Sequence, residues 1–266
     1  MKALYFLHIP KTAGSSMRSL LDMRFAPEDV APVDTDTQNL PAYLLEEPQR
    51  LNGYRFLRGH MGYSPVQYFS EKPDIVVFLR DPVERTLSHY GHILRQSDHW
   101  IHSLLPKPDL SLEEFLAFPQ ARALVTNFQA RHLAQDFDFL HPITDPCGQL
   151  LKPNLGLLLS CFRFPGTDRE LLRKAKKRLN ECAFVGITER FAESTQLLCV
   201  RLGWEHFPGE PSLNRAPSRL TQAEISPATL ADIQSLTAVD NALYRGALRN
   251  FLIRWRLHRL RKKMYM

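Results

Sequence analysis

The chain has 266 residues, 44% hydrophobic and 23% charged, which is enough for one sizeable core and excludes a disordered or fibrous class. A formal net charge of +6 and a pI near 9.2 suit an anionic ligand or substrate. No run approaches the roughly 20 apolar residues of a membrane span, and nothing reads as a signal peptide, so the expectation is a soluble, cytoplasmic protein.

In chain order, Ala3–Leu7 predicts a first strand and Ser15–Phe25 a helix. Residues 26–50, rich in Pro, Asp and Thr, read as irregular. Tyr54–Leu57 predicts a short second strand and Ser64–Phe69 a helical turn. Ile75–Leu79, five apolar residues between Pro73 and Pro82, predicts a buried strand. Pro82 suits the first turn of a helix that runs to about Gln96. Residues 97–165 break the rhythm with several prolines and two helical pieces, Leu112–Ala117 and Ala121–Ala134. They read as an insertion over one face and a place for acceptor selectivity. Helix Asp168–Asn180, strand Ala183–Ile187 and helix Arg190–Leu202 follow. A loop over 203–220 then leads to C-terminal helices near 221–235 and 238–262. Strands alternating with helices predict one α/β domain over 1–266. It is a P-loop-like, three-layer α/β/α fold with a mainly parallel sheet, plus the helical insertion and the C-terminal helices over 221–266. Ligands in such sheets sit beyond the carboxyl ends of the strands, where the motifs below fall.

The first motif is HIPKTAGSS, His8–Ser16. Gly14 permits a close backbone approach or a positive φ. Thr12, Ser15 and Ser16 offer hydroxyls, and the amides opening the next helix favour an anion. Lys11 adds a full positive charge. The combination reads as a cradle for a phosphate or a similar tetrahedral anion, or else as an ordinary strand-to-helix turn with a surface lysine. It lacks the G-x-x-x-x-G-K-[ST] form of a nucleotide triphosphatase, because Lys11 precedes a single glycine.

The second motif is FLRDPVERTLSHY, Phe78–Tyr90. A P-loop kinase strand in this role usually ends in an Asp that serves magnesium. Here it ends in Arg80, which suits a phosphate gripped bidentately, with a hydroxyl from Ser88 on the following helix. A structural ion pair of Arg80 with Asp81 or Glu84 is the alternative. The third motif is FLRGHMGY, Phe56–Tyr63, where His60 ends a strand and is a candidate general base or a structural histidine.

HIPKTAGSS, FLRDPVERTLSHY and FVGITERFAESTQLL together resemble the sulfotransferases that use 3′-phosphoadenosine 5′-phosphosulfate. The similarity is greatest to the carbohydrate type, the heparan and dermatan 2-O-sulfotransferases and their bacterial relatives, and covers residues 4–20, 55–95 and 182–220. The resemblance implies that Lys11, Thr12, Ala13, Gly14, Ser15 and Ser16 surround the 5′-phosphosulfate. It implies that Lys11 also steadies the leaving phosphate oxygen, and that Arg80 and Ser88 bind the 3′-phosphate. His60 would be the general base. Those relatives carry H-G-H where this chain has Arg58-Gly59-His60. Asn214 and Arg219 in SLNRAPSRL would belong to a late loop that closes over the nucleotide. The implied product is 3′-phosphoadenosine 5′-phosphate, formed by in-line displacement without a metal.

The four cysteines, Cys147, Cys161, Cys182 and Cys199, form no C-x-x-C pair, and no histidine cluster has zinc-ligand spacing. Reduced thiols and no metal are therefore expected. The partner expected is a hydroxyl-bearing acceptor. An anionic glycan suits the charge, and a lipid or small natural-product hydroxyl fits the motifs equally. A P-loop kinase or hydrolase, a non-catalytic binder and a nucleic-acid binder are the competing readings. The basic tail, with Arg254, Arg256, Arg259, Arg261, Lys262 and Lys263, lacks a nucleic-acid reader motif; it can hold a polyanion or a membrane surface, or be only a solvated face. Nothing in the sequence signals an oligomeric state.

Overall fold

Apolar runs set the centre of the molecule. Strands β1 (Leu4–Leu7), β2 (Phe56–Gly59), β3 (Asp74–Leu79) and β4 (Phe184–Ile187) form a four-stranded, all-parallel sheet in the order β2-β1-β3-β4. In β3, Ile75 to Leu79 are all buried. Successive strand side chains point to opposite faces, so the sheet is covered on both, as parallel sheets require. The computed structural model describes residues 2–33, 44, 47, 49–97, 99–141, 144, 147, 148, 158, 159, 162–207 and 220–264. Residues 34–43 of the irregular stretch, Cys161, and most of the 203–220 loop with Asn214 and Arg219 lie outside them.

The described helices are α1 (Gly14–Asp22), α2 (Pro82–Arg95), α3 (Leu112–Ala117), α4 (Pro119–Ala123), α5 (Phe128–Ala134), α6 (Asp168–Asn180), α7 (Phe191–Leu202), α8 (Pro227–Leu236) and α9 (Ala238–Met264). Local chemistry sets several of their starts. Ser111 with Glu114, and Thr167 with Glu170, close reciprocal capping boxes on α3 and α6. Pro82 opens α2 behind an Asp81 cap.

The second strand, expected over Tyr54–Leu57, lies two residues later at Phe56–Gly59, where it pairs in register with Leu4–Leu7, and Tyr54 ends the 3-10 turn before it. Three expectations about helix limits also change. The helix expected to reach Phe25 stops at Asp22 with Met23 as its C-cap, and Ala26 before Pro27 is extended (ψ 151°). Phe25 then stacks on Phe56, ring centroids 4.6 Å apart. The helix expected over Ala121–Ala134 is broken by a turn at 124–127. Asn127 sits in left-handed backbone there, φ 45°. The helix expected from about 221 begins at Pro227, after a short 3-10 turn over Gln222–Glu224.

The break at Asn127 has a tertiary cause. Its Oδ1 accepts from the amides of Val239 at 3.0 Å and Asp240 at 3.4 Å, at the start of α9. In return the Asp240 carboxylate accepts from the amides of Gln129 at 3.0 Å and Ala130 at 2.7 Å, at the start of α5. Two helices 110 residues apart thus cap each other. All seven residues of α5 are buried, so this part of the segment read as an insertion belongs to the core.

Burial pushes the Asp240 carboxyl up to about 6, against the pull of the two amides and of Arg85 and Arg131. An unfolded Asp titrates near 3.8, so the native state binds the extra proton. Asp240 therefore adds stability that is fully present below about pH 4 and is lost as pH rises through about 6. Asp240→Asn keeps an acceptor but cannot titrate. Denaturant melts at the two ends of that window should show it reducing the loss of stability between them by about 1–3 kcal/mol.

The strand order also marks a candidate site. β2 lies on one side of β1 and β3 on the other, so the chain reverses its direction of travel across the sheet between β1 and β3. Crevices at such a reversal, at the carboxyl ends of the strands, are where open α/β sheets hold ligands. Lys11 follows β1 and Arg80 follows β3, so the reversal places both at this crevice.

Candidate active site

The loop from Pro10 to Ser16 leaves β1 in a tight curl. Lys11 and Ala13 both adopt left-handed backbone, at φ 71° and 70°. Residues with a Cβ rarely do so, at a cost of about 1 kcal/mol or more each, and loops of this kind gather amides toward an anion. Thr12 holds the curl from inside. Its hydroxyl donates to the Ile9 carbonyl at 2.8 Å and its amide to the same oxygen at 3.3 Å. Of the three hydroxyls expected to face a ligand, Thr12's is therefore turned inward and buried, while Ser15 is exposed and Ser16 half-buried.

The donor set suits a tetrahedral anion. α1 starts after Ala13 with no side-chain cap and no acidic residue in its first turn. By contrast, Asp81 Oδ1 accepts from the amides of Val83 and Glu84 at the start of α2, both at 3.0 Å. The positive end of α2 is thus neutralised by the chain itself, whereas among the described residues no side chain caps the start of α1, which suits an anion.

Gly14 serves a purpose other than the positive φ considered from sequence. It is the first residue of α1, and a Cβ there would lie 1.4 Å from His8 Nε2. His8 is packed beneath the loop, stacked on Phe6 with centroids 5.4 Å apart. Gly14→Ala should lower stability by about 1–3 kcal/mol through overpacking. In a His8→Ala background the same change should be neutral or slightly stabilising, and a double-mutant cycle by thermal melting reads that coupling.

Arg80 ties the two motifs together. Its Nη1 donates to the Lys11 carbonyl at 3.0 Å. Nη2 lies 3.8 Å from Glu84 Oε2, and Nε lies 4.0 Å from Glu189 Oε1. Of the structural pairs considered from sequence, the one with Glu84 forms at long range, while the Asp81 carboxylate caps α2. The Arg80 peptide is itself clamped. Gln129 Oε1 accepts from its amide at 3.0 Å, and Gln129 Nε2 donates to its carbonyl at 2.9 Å. Glu189 also accepts from the Asp81 amide at 3.0 Å and from the Tyr244 hydroxyl at 2.9 Å, so α9 braces this edge. Burial first, and then the Glu189 carboxylate, push the Tyr244 phenol up, so it donates and stays neutral. Ser88 is half-buried on α2, one turn beyond Glu84.

His60 follows β2 directly and is half-buried. Because Leu7 pairs with Gly59 in the sheet, His8 and His60 emerge side by side, with ring centroids 4.2 Å apart and an interplanar angle of 61°. Burial, and after it the neighbouring His60, hold His8 well below the usual imidazole range. His132 on α5 is held low in the same way, by burial and then by His60. His132 is 1% exposed, and neither of its ring nitrogens has a hydrogen-bond partner among the described residues. Two neutral imidazoles thus flank His60. Arg58, in place of the first histidine of the relatives, donates from Nε to Asp22 at 2.8 Å and anchors the end of α1.

Sequence reasoning passed over Arg85. It is fully buried, and its Nη1 donates to the Leu124 carbonyl at 2.8 Å. Its Nη2 donates to His89 Nδ1 at 2.5 Å, and its Nε reaches the Pro10 carbonyl at 3.4 Å. The guanidinium lies 3.9 Å from the Phe128 ring centroid. Burial pulls it down to about 9. It links the loop, α2 and the start of α5 in one place. The contact with Arg85 engages His89 Nδ1, and burial, then the Arg85 charge, holds that ring neutral. Gln129 and His132 were also passed over, and no local pattern marks them. Among the described residues, no group of three or more His, Cys, Asp or Glu is placed to hold a metal ion, and no helix is long and apolar enough to cross a membrane.

By its own topology the chain is an α/β protein whose loop after β1 and arginine after β3 meet at the reversal of the sheet. No family model matches the chain, and no curated protein matches it. Among solved structures it is similar to a crystal structure described as a sulfotransferase from Alicyclobacillus acidocaldarius. The identity is 16%, with 96% of this chain and 99% of that one covered, at a TM-score of 0.49. A likeness of that degree shows neither family nor activity.

Proposed function

We propose that the chain is a sulfotransferase that takes its sulfuryl group from 3′-phosphoadenosine 5′-phosphosulfate and passes it to an acceptor hydroxyl, with a carbohydrate as the favoured acceptor. The observation that carries this reading is Arg80. A fixed cation ends β3 and is hydrogen-bonded to the Lys11 carbonyl at 3.0 Å, where a nucleoside triphosphatase would need a magnesium carboxylate. The uncapped start of α1 supports it from the other side of the reversal.

When bound, the donor supplies a sulfuryl group activated for transfer. Lys11, the amides of Ala13, Gly14, Ser15 and Ser16, and the curl held by Thr12 would receive its 5′ end. Arg80 and Ser88 would receive the 3′-phosphate that distinguishes it from ATP, and Asn214 and Arg219 would close over the nucleotide. His60 would accept the proton of the acceptor hydroxyl on an imidazole nitrogen as the new O–S bond forms. Lys11 would balance the charge left on the phosphate oxygen as the old S–O bond breaks. Nearly all of this is positioning and charge stabilisation.

Calorimetry with 3′-phosphoadenosine 5′-phosphate, ADP and ATP, without magnesium, tests the reading. A clear preference for the 3′-phosphorylated nucleotide is expected. Equal or better binding of ATP, improved by magnesium, overturns the proposal in favour of a kinase.

A further inference from the structure

Helix α9 runs 27 residues to Met264 and has two apolar faces. Phe251, Trp255 and His258 follow i, i+4, i+7 spacing and turn toward the body: Phe251 is buried, and the other two are half-buried. Ile253, Leu257 and Leu260 repeat the same spacing two residues later, about 200° round the helix. They point away from the body and are 54%, 52% and 51% exposed. A row of half-exposed aliphatic side chains on an outward helix face is more than the scattered apolar residues every surface carries.

The charge around this row is of one sign. Helical spacing sets Arg249 and Arg256 along one border of it and Arg254 and Arg261 along the other, all exposed. From Asn241 to Met264 there are eight Arg and Lys residues and no Asp or Glu. Such a face does not suit a second copy of itself, because the arginine borders would meet. Nor does a soluble polyanion suffice, since it would pair the arginines and leave Ile253, Leu257 and Leu260 in water. An anionic bilayer meets both requirements at once. Its acyl boundary covers the aliphatic row, and its headgroups meet the arginines on either side.

We propose that the outward face of α9 from Arg249 to Arg261 lies in the plane of an anionic lipid surface, with Ile253, Leu257 and Leu260 inserted at the headgroup boundary. This is a peripheral attachment of the folded chain, independent of the chemistry at Lys11 and His60.

The test is co-sedimentation of the full chain with vesicles of phosphatidylcholine alone and with about 30% phosphatidylserine. Binding is expected to the anionic vesicles, to be weak to the neutral ones, and to fall on raising salt from about 0.1 M to 0.5 M. The double variant Leu257→Asp/Leu260→Asp should bind about tenfold or more weakly, and Arg256→Gln/Arg261→Gln should lose a comparable factor. All four positions face solvent, so both variants should melt like the parent, and melting curves check this. The proposal is overturned if anionic vesicles are not bound, or if neutral ones are bound equally well. It is also overturned if the leucine variant binds as the parent does, which would leave a purely ionic polyanion site. Self-association in solution that Leu257→Asp/Leu260→Asp abolishes, without vesicle binding, overturns it in favour of a second copy.

Discussion

Arg80→Ala should weaken binding of 3′-phosphoadenosine 5′-phosphate by roughly 10- to 150-fold while changing ADP affinity much less. The substitution removes charge-assisted hydrogen bonds worth about 1.5–3 kcal/mol to one phosphate. The guanidinium is only 12% exposed, so water replaces it poorly. Its carboxylate neighbours, Glu84 at 3.8 Å and Glu189 at 4.0 Å, are close enough to hold it in place and too far to close a bidentate pair. Arg80→Lys keeps the charge but not the planar fork, and should fall between the two. Calorimetry on the three proteins, with melting curves beside it, decides the matter. Equal losses for both nucleotides, together with a large drop in melting temperature, would show Arg80 to be a structural tie to the Lys11 carbonyl and remove it from the binding site.

His60→Ala should lower kcat by roughly 10²–10⁴, the usual contribution of a positioned general base, with the affinity for 3′-phosphoadenosine 5′-phosphate nearly unchanged. The split between rate and nucleotide affinity is the informative readout. A structural His60 would disturb the loop through His8, whose ring is 4.2 Å away and lies against Gly14, and both quantities would then fall. His8 and His132 are poor substitutes, since both are buried and held neutral. His89 already accepts a hydrogen bond from Arg85 at Nδ1. Single-turnover assays with a panel of sugar, lipid and phenolic hydroxyls would measure the loss. Full activity in the variant would exclude His60 as the base.

Much of the fold is written in local sequence. Ile75–Leu79 is a run of apolar residues between prolines, and it is the core strand β3 with one residue added. α3 and α6 have the limits expected from sequence, because the signals that start them, Ser111 with Glu114 and Thr167 with Glu170, lie three residues apart. The candidate site residues before Ser88 were legible for the same reason: each sits where a strand stops and a loop or helix begins. The break before α5 depended on distant partners. The helix expected over Ala121–Ala134 has good local periodicity, but Asn127 and Asp240 exchange caps across more than 100 residues and break it.

By itself, the sequence determined that the chain would be α/β, where β1, β3 and β4 would end, and that Lys11, His60 and Arg80 would follow strands; it placed the end of β2 two residues early, at Leu57 instead of Gly59. Strand periods and turn residues are set by neighbours a few positions apart. Tertiary structure alone decided that β1 and β3 flank the reversal of the sheet, so that Arg80 meets the Lys11 carbonyl. It alone turned Thr12 inward, set His8 under Gly14, buried Arg85 as the tie between loop and helix, and left one face of α9 apolar on the outside. Each of these depends on which surfaces pack together once the chain has closed. Burial and long-range hydrogen bonding choose among partners that local sequence treats as equivalent.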